Sequence, residues 1–213
     1  MRSTPPNADR DPLRLGILLS GRGSNFQAIA ASIREGRLKD AEIAVVISNV
    51  AEAEGIAVAR DLGFETAVFV SKDRKRSDHD AELAICLREH GVDLVCLAGY
   101  MRLLSPEFIA AFPDRILNIH PSLLPAFPGL NAQQQAFDYG VKMAGCTVHF
   151  VDEHLDHGAI ILQRSIPVLE NDDALSLAAR ILAEEHLAYS AAIARIASGE
   201  WEIRGRRYLK RNA

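Results

Sequence analysis

Short apolar runs alternate with segments of helical period along this chain. Leu13 to Leu19 is the first run, and a glycine-rich turn follows it. Asn25 to Glu35 then sets Phe26, Ile29 and Ile33 on one face, which predicts a helix. The β-branched run Ile43 to Ile47 predicts a second strand, and Glu54 to Leu62 a helix stopped at Gly63. Thr66 to Val70 predicts a third strand. Arg76 to His90 predicts a helix that turns Leu83 and Leu87 inward and ends at Gly91. Leu94 to Ala98 is apolar throughout, the pattern of a central strand covered on both faces.

In the second half, Ser105 caps a short helix reaching Phe112, with Pro106 at its first position and Glu107 close behind. Arg115 to His120 predicts a strand, followed by the proline-rich loop Pro121 to Gly129. Ala132 to Tyr139 predicts a helix, Cys146 to Val151 and Ile160 to Ile166 strands, and Ala174 to Ile196 a long alanine-rich helix. The tail from Trp201 is expected to be an edge strand or irregular. Such alternation predicts an α/β fold, a mostly parallel twisted sheet with helices on both faces.

The chain has 213 residues, of which 48% are apolar, enough for one domain with a sizeable core. Residues 1–12 carry three prolines and no apolar middle, so they are expected to be a flexible leader and not a signal peptide. Residues 13–213 are expected to be a single domain. The net charge of -4 points to no nucleic-acid partner, and no run reaches the roughly 18 apolar residues of a membrane span. Cys86, Cys96 and Cys146 form no C-x-x-C pair and suit a reducing compartment, so a cytoplasmic location is expected.

In parallel sheets ligands gather beyond the carboxyl ends of the strands. After the first strand comes Ser20-Gly21-Arg22-Gly23-Ser24-Asn25. Its glycines allow a tight bend and a close approach, and the helix that follows points free amides outward, so Gly23, Ser24 and Asn25 suit a phosphate. A dinucleotide site is rejected. The third glycine of G-x-G-x-x-G is missing, and the second strand ends in Ser48-Asn49 without an acid for a ribose.

The strand at Arg115 ends in Asn118-Ile119-His120. Residues i and i+2 share a strand face, so an amide and an imidazole project together. That pair can stabilise an oxyanion and handle a proton, although a structural cap is the alternative. Asp156 precedes His157-Gly158 at a tight turn; a carboxylate beside an imidazole favours the charged ring and orients it. It is the natural partner for His120 if the fold joins them. His149, His154 and His157 lack a standard ligand spacing such as H-E-x-x-H, so a solvated loop and no metal are expected.

At these residues the chain resembles the folate-dependent formyltransferase family. Four segments carry the resemblance, in the family's order: Gly21 to Asn25, Leu97 to Pro106, Asn118 to Pro125, and Gly145 to Gly158. It extends from Leu13 to about Ala197. It implies a Rossmann-like sheet, with a nucleotide-binding half near 13–112 and a folate-binding, catalytic half near 113–200. It implies a soluble monomer or homodimer that moves a formyl group from 10-formyltetrahydrofolate to the amine of glycinamide ribonucleotide. Gly23, Ser24 and Asn25 would hold the ribotide phosphate. Arg76, Met101, Arg102, Leu103, Leu104 and Asn118 would line the folate site. Asn118, His120 and Asp156 would be catalytic, with no metal. One departure is Gln133, where relatives often carry a histidine.

Other members of the family act on tRNA and usually add a basic carboxyl-terminal domain; here only Arg204, Arg206, Arg207, Lys210 and Arg211 follow Trp201, a cluster expected to be a solvated tail. Hydrolytic members generally carry an extra amino-terminal domain, and the first strand here begins near Leu13. A non-catalytic nucleotide or folate binder is the rival of a different class.

Overall fold

The computed structural model describes residues 11–211; residues 1–10 of the expected leader lie outside the described residues. The elements run β1 (Leu13–Leu19), α1 (Ser24–Arg34), β2 (Ala41–Ser48), α2 (Glu54–Asp61), β3 (Thr66–Val68), α3 (Arg76–Glu89), β4 (Leu94–Leu97), α4 (Pro106–Ala111) and β5 (Ile116–His120). They continue with α5 (Ala132–Tyr139), β6 (Met143–Phe150), β7 (Ile160–Pro167), α6 (Ala174–Ala197), β8 (Trp201–Arg204) and β9 (Arg207–Lys210).

All the strands join one sheet in the order β3-β2-β1-β4-β5-β6-β7-β9-β8. The first five are parallel. β6 and β7 then run antiparallel. Side chains alternate between faces, and two cores follow from that period of two. Leu15, Ile17 and Leu19 of β1 and Leu94 and Cys96 of β4 pack beneath α1, α2 and α6. Leu18, Val95 and Leu97 pack on the opposite face against Leu83 and Leu87 of α3 and Phe108 of α4. Each fully buried Leu, Ile or Phe contributes about 1.5–3 kcal/mol. Gly16 lets α3 sit directly on β1, because a Cβ there would overlap the Leu87 side chain. The Tyr189 hydroxyl of α6 reaches the carbonyl oxygens of Leu97 and Leu117, at 3.1 and 3.2 Å, pinning the long helix across β4 and β5.

Several boundaries differ from expectation by one to three residues. β3 stops at Val68, two residues early. β6 begins at Met143 and ends at Phe150. Its early start is an exposed residue paired with Pro167, which an apolar pattern cannot signal. The tail lies at the sheet edge, as expected, in the form of a hairpin, β8 on β9, and β9 meets β7 where Arg207 pairs with Ile160.

The strand order sets the site. The chain leaves β1 toward β2 and β3, then returns to β4 on the other side. Such a reversal opens a crevice at the strands' carboxyl ends. The turns after β1, β4 and β5 border it. Among the described residues no helix is long and apolar enough to cross a membrane.

Candidate active site

The turn after β1 ends at Gly23, which caps α1 in the left-handed region at φ 69°. A Cβ on Gly23 would lie 3.1 Å from the Gly55 Cα, so the turn needs glycine for both conformation and space. No side chain caps α1. The first intrahelical bond is from the Gln27 amide to the Gly23 carbonyl, which leaves the amides of Ser24, Asn25 and Phe26 without intrahelical acceptors. Free amides and the positive end of a helix suit an anion. The Asn25 side chain is committed elsewhere: its amide donates to Glu185 Oε2 at 2.8 Å, inside the protein. What residue 25 offers the turn is therefore its backbone.

Glu185 was not singled out from the sequence. It follows Leu177 and Ile181 and precedes Ala188 and Ala192 on the buried stripe of α6. An acid on an apolar stripe is the signal that points to it. Burial pushes its carboxyl above the usual range, opposed by the Asn25 hydrogen bond.

A polar chain ties this turn to the segment after β4. Ser20 Oγ donates to Asn49 Oδ1 at 2.6 Å and accepts from the Met101 amide at 2.8 Å. Asn49 Nδ2 donates in turn to Ser71 Oγ at 2.9 Å. Along Met101–Leu104 the side chains alternate. Met101 and Leu103 are exposed apolar groups, and Leu104 is buried. The Arg102 guanidinium points inward and donates to the carbonyl oxygens of Ser71 and Arg74, at 3.1 and 3.0 Å. It clamps the 71–74 turn, so the backbone is what Arg102 presents to the crevice. Arg76 opens α3 and is exposed.

The densest chemistry lies where β5 and β6 run side by side. Asn118 pairs with His149 and His120 with Thr147. Asn118 Nδ2 donates to His149 Nε2 at 3.3 Å, and His149 Nδ1 donates to the Phe150 carbonyl at 2.8 Å. Burial holds the His149 ring below the ordinary imidazole range, partly offset by the Phe150 carbonyl, so it is the neutral acceptor this geometry requires. Asp156 lies between two imidazoles: Oδ2 is 3.4 Å from His120 Nδ1 and Oδ1 is 3.8 Å from His149 Nε2. The Gly129 amide donates to Asp156 Oδ2 at 2.7 Å. Asp156 adopts φ 50°, a left-handed conformation that aspartate tolerates better than most residues. Gly158 follows it where a Cβ would strike the Phe150 carbonyl.

The loop 121–129 walls this cluster. Buried Thr147 accepts from the Leu124 amide at 3.0 Å and donates to the Ser122 carbonyl at 2.7 Å. The far nitrogen of His120, Nε2, donates to the Phe127 carbonyl at 2.8 Å. The fold thus brings Asn118, His120 and Asp156 together and adds His149. β5 and β1 are separated by β4 alone, so the strands that carry the cluster and the glycine turn run about 10 Å apart and end on the same side of the sheet.

A family model described as formyl transferase matches residues 13–193. The chain belongs to the formyl transferase family. It is 40% identical over 200 residues to the phosphoribosylglycinamide formyltransferase of Haemophilus influenzae, covering 93% of this chain and 91% of that one. A crystal structure of glycinamide ribonucleotide transformylase 1 from Symbiobacterium toebii superposes with a TM-score of 0.90 at 53% identity, covering 93% of this chain and 94% of the other. The trifunctional purine biosynthetic protein adenosine-3 of Drosophila melanogaster is 45% identical over 188 residues, 87% of this chain. This chain spans only 14% of that longer protein's length. For this formyl transferase family member, the mostly parallel α/β sheet expected from the sequence is the fold observed.

Proposed function

We propose that the chain transfers the formyl group of 10-formyltetrahydrofolate to the amine of glycinamide ribonucleotide, with Asn118, His120 and Asp156 acting on the formyl group. The observation that carries this is the buried Asp156–His120 pair beside Asn118, two strands across from an uncapped helix end suited to a phosphate. The names of close relatives in sequence and structure support the choice of substrates.

In this account the backbone of Gly23, Ser24 and Asn25 holds the ribotide phosphate. The segment Met101 to Leu104 and Arg76 border the folate. The ribotide amine attacks the formyl carbon; a C–N bond to the amine forms and the bond to folate N10 breaks. The formyl oxygen becomes an oxyanion in between. The second N–H of Asn118, the one not used by His149, and protonated His120 donate to that oxyanion. Asp156 orients His120 and supports the passage of the amine proton to N10. Holding the two reactants together supplies much of the rate. His120 Nε2 donates to the Phe127 carbonyl, so that N–H reaches an oxyanion only by changing its acceptor.

Cys86, Cys96 and Cys146 are free and buried, which suits a reducing compartment such as the cytoplasm. The reading is tested by following absorbance as a 10-formyl folate analogue loses its formyl group, with and without the ribotide. Loss only in the presence of ribotide is expected. Loss to water alone means a hydrolase, and no loss in either case means a non-catalytic binder.

A further inference from the structure

Two sets of one aspartate and two histidines meet at the loop between β6 and β7. Asp156 with His120 and His149 is the buried set. Asp152 with His154 and His157 is its counterpart on the surface, and formyl transfer makes no use of it. The Asp152 carboxylate lies between the two rings. Oδ2 is 2.8 Å from His157 Nδ1, and Oδ1 is 3.9 Å from His154 Nδ1. The rings stand 5.0 Å apart, tilted by 53°. One ligand atom from each residue falls within 4.8 Å of the other two. Donors bound to one small cation at about 2.0–2.2 Å stand closer than that to one another, so small side-chain rotations close the set.

Two further features favour a site over a solvated loop. The Asp152 carboxylate is already oriented, because Oδ1 accepts the His154 amide at 2.9 Å. The cluster is also held from outside. Arg206, in the turn between β8 and β9, donates to the His157 carbonyl at 2.6 Å and to a ring nitrogen of His157. A cation, in the form of a guanidinium, thus already stands against both nitrogens of the ring that a metal would use.

We infer that Asp152, His154 and His157 form a surface site for a borderline-soft divalent transition-metal cation, Zn²⁺ or its like, in competition with the Arg206 guanidinium. Imidazole and carboxylate donors suit Zn²⁺, Cu²⁺ and Ni²⁺ better than Mg²⁺ or Ca²⁺, which prefer all-oxygen sets. Three protein ligands leave a coordination position for water. A cation bound here spans both sides of Asp156. The inference does not depend on which formyl donor or acceptor the chain uses.

The test is equilibrium competition for Zn²⁺ between a chromophoric chelator and the full-length, tag-free chain, with Co²⁺ absorption reporting the ligand field. One equivalent is expected to bind, more weakly than at a four-ligand structural zinc site. His154→Ala and His157→Ala are each expected to weaken binding at least tenfold, and Arg206→Ala to tighten it. His120→Asn is expected to leave it unchanged. Both histidines are exposed, and circular dichroism checks that each variant folds. The thiols are poor competitors, since all three cysteines are buried. Absence of binding up to millimolar Zn²⁺ overturns the inference. So does binding that survives loss of both surface histidines, or that disappears in His120→Asn and thereby places the metal in the buried cluster.

Discussion

Asp156 Oδ2 stands 3.4 Å from His120 Nδ1, with both side chains buried. The contact joins the end of β5 to the turn after β6, and only the antiparallel pairing of those strands makes it possible. One carboxylate oxygen also takes the Gly129 amide, so its position is set from two sides.

Asp156→Asn keeps the shape and the tolerance for positive φ while removing the charge. Turnover is expected to fall by about 10²–10⁴, as is that of His120→Ala, with ribotide affinity little changed. Single-turnover kinetics beside a binding titration separate the two effects. Wild-type turnover in either variant contradicts the assigned roles.

His149 is expected to matter through Asn118. His149→Gln disturbs the acceptor that holds the Asn118 amide, and turnover is expected to drop roughly 3- to 10-fold, the weight of one net hydrogen bond. The same variant has a pH signature. Burial lowers the proton affinity of the native ring, so the unfolded chain binds more protons through the imidazole range. Stability from this group is therefore present above that range and is lost as pH falls through it. Melting curves between about pH 5 and 7 are expected to show a smaller acid loss in His149→Gln than in wild type. Parallel curves contradict a buried neutral ring.

Gly23→Ala tests the turn after β1. The residue sits at φ 69°, and the added Cβ meets the Gly55 backbone at 3.1 Å. A cost of about 1 kcal/mol lowers Tm by roughly 2–4 °C in a chain of this size. The KM for the ribotide is expected to rise at least about fivefold while the folate KM holds, because the backbone amides of α1 are displaced. Equal effects on both substrates contradict a phosphate role.

Arg102→Met removes two hydrogen bonds that tie the Met101–Leu104 segment to the 71–74 turn. The folate KM is expected to rise roughly tenfold with the ribotide KM unchanged, since each charge-assisted bond is worth more than a neutral one. Steady-state kinetics with each substrate varied in turn measures this. An unchanged folate KM places the clamp outside the folate site.

Most strands were legible because β1, β2, β4 and β5 are largely buried on both faces and stand out as mainly apolar runs, β4 without a break. Glycine stops and the Ser105 cap marked the helices, and the Ser105 hydroxyl does accept the Phe108 amide. Strand direction was not legible: nothing local in β6 distinguishes an antiparallel neighbour from a parallel one. That is why Asp156 was a conditional partner for His120 and why His149 was weighed only with His154 and His157, not with Asn118. Its place opposite Asn118 depends on register between distant strands. The Asn25 and Arg102 side chains were legible as polar groups near a ligand, but their internal acceptors, Glu185 and the 71–74 turn, come from remote parts of the chain.

The most direct measurement follows the formyl carbon itself. The chain is incubated with 10-formyltetrahydrofolate carrying a ¹³C label in the formyl group, together with glycinamide ribonucleotide, and the products are read by mass spectrometry and NMR. The account expects the label on the ribotide nitrogen, in amounts matching the folate consumed, and its loss in Asp156→Asn. Label recovered as free formate, with the ribotide unmodified, contradicts direct transfer.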